Sequence, residues 1–100
     1  MTDPSIRITY EDQPTKGRYV ARIEGVEGEA ELTLSKVSDT LVIADHTLSP
    51  ESMRGRGVAA ALAQRLVEDA RAAGRRIVPL CPFVRAQAAR HPEWADVIQL

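Results

Sequence analysis

Two glycines, each preceded by an arginine, run straight into an apolar stretch at Arg54, Gly55, Arg56, Gly57, Val58 and Ala59. A glycine turn that opens a helix leaves main-chain N–H groups unpaired at the positive end of the helix dipole, and such groups bind phosphate. Arg54 and Arg56 would add charge to that socket. The plain alternative is that Gly55 and Gly57 only relax a tight strand-to-helix turn. Local physics leaves both open. A P-loop is excluded, because no Gly-Lys-Ser/Thr follows the glycines. The segment GRGVAA also satisfies G-x-G-x-x-A, a variant of the dinucleotide fingerprint. That fingerprint needs the glycines directly off the first strand and an acidic residue near the end of the next. Here SPESMR intervenes and the next strand ends in Leu80-Cys81-Pro82, so the match is a weak one.

The remaining reactive side chains are few. Cys81 is the single cysteine, so no internal disulfide is possible. It precedes Pro82, a favoured opening residue for a helix, and a helix N-terminus raises thiol reactivity. A free cysteine is equally often a small buried hydrophobe. His46 is the leading general base by residue type, or else a hydrogen-bonded core residue. His91, before Pro92, reads as a cap or surface group.

The elements that must position these groups fall into two halves of different period. Ile6, Ile8 and Tyr10 alternate with polar neighbours, as do Tyr19, Ala21 and Ile23, and then Ala30, Leu32 and Leu34. These are antiparallel strands with one wet face. Thr40 to Leu48 has apolar residues in both phases and reads as a central strand covered on both sides. After Gly57 the period becomes helical, with Val58, Leu62, Leu66 and Ala70 on one stripe and Ala59, Ala63 and Val67 beside it. Gly74 is placed to end that helix. Arg76 to Cys81 reads as a short strand, with Ile77 to Leu80 parallel to Thr40–Leu48 through a right-handed helical crossover. A second helix starts at Pro82, and PEWADVIQL closes the chain as a helical turn or a short edge element. The expected fold is α+β, ordered β-β-β-β-α-β-α, with a mixed, mostly antiparallel sheet.

Composition bounds the rest. A chain of 100 residues, 44% hydrophobic, is expected to form one globular domain over residues 1–100. Its 13 Lys+Arg nearly cancel 14 Asp+Glu, for a net charge of -1. That argues against a general nucleic-acid binder. The start, MTDPSIRITY, has no signal-peptide pattern, and no apolar run reaches membrane-spanning length. No membrane partner and no metal are expected, and the setting is read as cytoplasmic.

The segment from Arg54 to Ala59 resembles the Arg/Gln-x-x-Gly-x-Gly/Ala motif of the GNAT superfamily of acetyl-CoA-dependent N-acetyltransferases. HT before the loop, then RGRGVAAAL, VPLCPFV and RHPEW, resemble a small stand-alone subfamily of about this length, over roughly residues 15–98. The resemblance implies acetyl-CoA or coenzyme A as cofactor. Its pyrophosphate would lie on the main chain of Arg54, Gly55, Arg56, Gly57, Val58 and Ala59. His46, Thr47 and Leu48 would engage the pantetheine and thioester through main-chain groups, between two parallel strands that splay apart. Cys81 would stand near the thioester, as proton donor or acetyl acceptor. One of Arg75, Arg76, Arg85 and Arg90, otherwise solvated faces, would meet the adenosine phosphate.

The chain also departs from that pattern. Many members carry a proton-donating tyrosine on the helix after the fifth strand, where this chain has Gln87. Trp94 stands in place of a tyrosine, and indole is no general acid. Leu48 stands where the subfamily often has glutamate after HT. Two readings follow: an N-acetyltransferase acting on a small-molecule or protein amine, or a non-catalytic coenzyme A or acyl-CoA binding module.

Overall fold

The computed structural model describes residues 5–100. In chain order it contains β1 (Ile6–Asp12), β2 (Lys16–Ile23), β3 (Ala30–Lys36), β4 (Leu41–Leu48), α1 (Val58–Ala73), β5 (Arg76–Pro79) and α2 (Pro82–Arg90). Single 3-10 turns precede α1 at Glu51–Met53 and follow α2 at Pro92–Asp96. The strands form one sheet in sequential order, β1-β2-β3-β4-β5. The first three pairings are antiparallel and β4 with β5 is parallel, so the fold is the expected α+β arrangement.

Alternation decides which face is buried. Tyr19, Ala21 and Ile23 of β2, Ala30, Leu32 and Leu34 of β3, and Val42 and Ala44 of β4 are all buried on one face. Against it α1 packs its stripe of Val58, Leu62, Leu66, Val67 and Ala70. Burying a side chain such as Leu32, Leu62 or Leu66 contributes about 1.5–3 kcal/mol each. Tyr19 adds a polar tie, donating its hydroxyl to Asp69 Oδ2 on α1 at 2.7 Å. The helix ends as expected at Gly74, whose φ of 70° only glycine adopts without strain.

The opposite face is polar. Arg18 spans it, with its guanidinium 2.8 Å from Glu29 Oε1, 2.8 Å from Glu31 Oε1 and 3.1 Å from Glu11 Oε2. These carboxylates hold the guanidinium charged well above its ordinary range. β4 is therefore not covered on both sides. Leu41 and Ile43 on this face are only half-buried, because α1 lies on the side of Val42 and Ala44.

One irregularity shapes the molecule. Thr33 pairs with His46 but Leu34 pairs with Ala44, so Asp45 is an extra residue in β4, a β-bulge. The bulge resets the alternation: Thr47, opposite buried Leu32, rejoins the helix-side face that Val42 and Ala44 occupy. His46 and Leu48 turn to the polar face, and both are exposed.

β5 is shorter than the expected Arg76–Cys81, ending at Pro79 and leaving Leu80 and Cys81 beyond the strand. The closing segment does both things expected of it. It makes a 3-10 turn that buries Trp94, then a one-residue bridge between Ile98 and Ile77. Arg71 of α1 grips this tail through two 2.8 Å bonds to Asp96.

Candidate functional site

The chain leaves β4 through Ser49 and Pro50 and is pinned by Met53, buried within the core. Gly55 and Gly57 then take φ values of 76° and 72°, in the left-handed region that strains any other L-residue. A Cβ built on either would meet nothing within 4 Å, so both glycines border open space. Gly57 is the N-cap of α1, with no side-chain cap and no acidic residue in the first turn. Its carbonyl accepts the Ala61 N–H at 3.0 Å. The N–H groups of Gly57, Val58, Ala59 and Ala60 have no acceptor among the described residues. The positive end of a 16-residue helix is thus left without an acceptor among the described residues, with Arg54 and Arg56 exposed beside it.

Next to this turn the sheet opens. β4 and β5 are paired only from Leu41–Arg76 to Ala44–Pro79. The last bond between their paths runs from the Cys81 N–H to the Ala44 carbonyl, at 2.8 Å. From Asp45 onward β4 is paired, among the described residues, to β3 alone, so its other edge carries main-chain groups that no described strand meets. Leu48, the last residue of β4, and Leu80, just past β5, are 55% and 61% exposed, unusual for leucine.

Cys81 caps α2 at the head of this gap, and its thiol is buried. The Thr47 hydroxyl lies 3.3 Å from Cys81 Sγ across the opening between the strands. The structure thus brings together Thr47 and Cys81. It does not bring His46 to Cys81, since the imidazole is on the polar face with Thr33. Leu48 shares that face, while Arg54 to Ala59 run from the turn after Met53 into the first residues of α1. His91 is elsewhere, with its ring stacked 4.3 Å from that of Trp94 and Nδ1 2.9 Å from Glu93. Gln87 on α2 is half-buried.

Asp45 was missed by the sequence reading. The bulge residue presents a half-buried carboxylate on the polar face, accepting the Ser35 hydroxyl at 2.5 Å. Lys16 Nζ lies 3.8 Å from it, and a hollow there is lined by Glu11, Lys16, Arg18, Thr33 and Asp45. The signal was three consecutive polar residues, Asp45-His46-Thr47, inside an otherwise apolar strand. Among the described residues no group of His, Cys, Asp and Glu is arranged to hold a metal ion. No helix among them is long and apolar enough to cross a membrane.

A mixed sheet whose parallel pair parts at a bulge, beside a glycine turn that starts the crossover helix, defines a minimal GNAT-like α+β domain. The sequence matches the family model of the GCN5-related N-acetyl-transferase over residues 18–97, and the chain belongs to that family. Membership supports acyl transfer to an amino group as the family-level activity. None of the curated proteins compared with the chain matches it.

Proposed function

We propose that the protein is an N-acetyltransferase that binds acetyl-CoA at the turn before α1 and passes the acetyl group to an amine. The observation that carries this reading is the bare, uncapped start of α1 beside the opening between β4 and β5. A permissive turn accounts for the positive φ of Gly55 and Gly57, but not for a long helix that forgoes both a capping side chain and a first-turn carboxylate. An anion held there supplies what the cap omits.

The residues fit the cofactor. Main-chain N–H groups from Gly57 to Ala60, with Arg54, Gly55 and Arg56, would hold its pyrophosphate, and the glycines leave room for it. The free edge of β4 at His46, Thr47 and Leu48 would hold the pantetheine arm, with Leu48 and Leu80 as apolar walls. When bound, acetyl-CoA supplies the acetyl group as an activated thioester. Main-chain N–H groups of the β4 edge would stabilise negative charge on a carbonyl oxygen placed there. The Thr47 hydroxyl and Cys81 thiol form a proton-holding pair on the helix side of the strand. His46 and Asp45 stand on the opposite face, where an amine would give up its proton. Cys81 and His46 thus have separate roles on separate faces.

The second reading, a coenzyme A binding module without turnover, is favoured by one observation: α2 carries no tyrosine, and Gln87 is half-buried in its place. A panel of small amines, polyamines and lysine-containing peptides, assayed for thiol release from acetyl-CoA, separates the two. The transferase reading expects release that depends on both amine and enzyme and falls in His46→Ala or Cys81→Ala. Binding of acetyl-CoA with no release from any amine would favour the module.

A further inference from the structure

Among the described residues β1 is an edge strand of the sheet, and its residues carry a pattern that the proposed acyl-transfer site does not use. In the β1–β2 hairpin the Gln13 N–H donates to the Lys16 carbonyl at 3.0 Å, and the Glu24 N–H donates to the Ser5 carbonyl at 3.3 Å. With the unbroken register between them, these bonds put Arg7, Thr9 and Glu11 in the bonded pairs with β2. The main-chain groups of Ile6, Ile8, Tyr10 and Asp12 therefore point outward from the edge. Their side chains, on the helix side, are only half-buried for Ile6, Ile8 and Tyr10, although the paired β2 residues Ile23, Ala21 and Tyr19 are buried. Among the strands, α1 packs chiefly against β2, β3 and β5, and its contact with β1 is slight at most.

We propose that two copies of the chain associate edge to edge through β1, antiparallel, about a two-fold axis at Thr9. Such an interface must be self-complementary, and this strand is. With Thr9 opposite Thr9 of the second copy, Ile8 faces Tyr10 and Ile6 faces Asp12, each way. Every outward-pointing residue then lies in a hydrogen-bonding pair. On the polar face, exposed Arg7 meets the second copy's Glu11, twice by symmetry. Arg7 has no ion-pair partner among the described residues, and Glu11, already 3.1 Å from Arg18, keeps a side chain 58% exposed. Shifting the strands by two residues either way leaves an outward residue without its partner and opposes Arg7 to Thr9 or Glu11 to Thr9. Only the Thr9-centred register pairs the charges and brings Ile8 against Tyr10 across the seam. The edge lies across the sheet from the β4–β5 gap, so association leaves that site open.

The register is tested by sedimentation and by cross-linking. Wild-type protein, run from about 10 to about 500 µM, should shift from monomer towards dimer, and Arg7→Glu should weaken association roughly tenfold by opposing like charges. Thr9 would face its symmetry mate in a non-hydrogen-bonded pair, where Cα atoms are about 4.5 Å apart, within disulfide range. Thr9→Cys should therefore form a disulfide-linked dimer on mild oxidation. Arg7→Cys, displaced from its own mate, should cross-link far less. Cys81 is buried, so the introduced thiol is the one that reports. Arg7 and Thr9 are exposed, so these variants keep the fold. A wild type that stays monomeric throughout, or equal cross-linking of Thr9→Cys and Arg7→Cys, would overturn the proposal.

Discussion

Thr47 Oγ1 lies 3.3 Å from Cys81 Sγ, and the contact exists because β4 holds one residue more than β3 at Asp45. Without that bulge His46 would follow Val42 and Ala44 onto the helix side, and Thr47 would face the other way. The bulge thus selects which polar side chain meets the thiol. Thr47→Val keeps the shape and removes the hydroxyl. Thiol release from acetyl-CoA should slow by roughly tenfold, the worth of one hydrogen bond to the proposed proton donor, while cofactor affinity stays within about twofold. Equal loss in rate and affinity would mean that Thr47 serves only to hold the cofactor.

Gly57 and Gly74 stand at opposite ends of α1 with nearly the same φ, 72° and 70°. A Cβ at either meets nothing within 4 Å, so substitution costs backbone strain rather than a clash. Gly57→Glu and Gly74→Glu should each lose about 1–2 kcal/mol in urea denaturation. Acetyl-CoA affinity should fall at least about tenfold in Gly57→Glu alone, because only there would the new carboxylate meet the proposed anion site. Parallel losses of affinity in the two variants would contradict the placement.

Tyr19 joins β2 to α1 through the 2.7 Å bond from its hydroxyl to Asp69, whose carboxylate also accepts from Arg65 at 3.2 Å. Tyr19→Phe leaves Asp69 with Arg65 and removes one part-buried bond. The expected loss is about 1 kcal/mol by chemical denaturation, with acetyl-CoA binding unchanged.

Asp96 is held below the usual carboxylate range, first by its hydrogen bonds from Arg71. A carboxyl lowered in the folded state stabilises the fold above its unfolded value, about 4, and that contribution disappears as pH falls through the lower folded value. Asp96→Asn should therefore be less stable than wild type at pH 7, with the difference closing below about pH 4. Urea midpoints across that range check the sign. A difference that does not change with pH would mean the Arg71 fork contributes through packing alone.

The legible parts of this fold are those set by local period. The rows Tyr19-Ala21-Ile23 and Ala30-Leu32-Leu34 bury one face as alternation requires, and α1 begins after Gly57 and stops at Gly74. What local period cannot carry is the bulge. Whether Asp45 or its neighbour is the extra residue is decided by pairing with Thr33 and Leu34, more than ten positions away in sequence. The faces of His46 and Thr47 were hidden with it. Trp94 was legible only as a missing phenol, yet it is 2% exposed and anchors the closing 3-10 turn in the core. The double apolar phase of Leu41 to Ala44 suggested two covered faces. Instead Val42 and Ala44 are buried under α1 while Leu41 and Ile43 stay half-buried on the polar face.

The uncapped start of α1 is the proposed seat of a coenzyme A pyrophosphate, and calorimetric titration reads it most directly. Wild-type protein titrated with acetyl-CoA and with free coenzyme A should bind both at a one-to-one ratio, and Gly57→Glu should bind neither comparably. Absence of heat from both compounds, or undiminished affinity in Gly57→Glu, would contradict the claim.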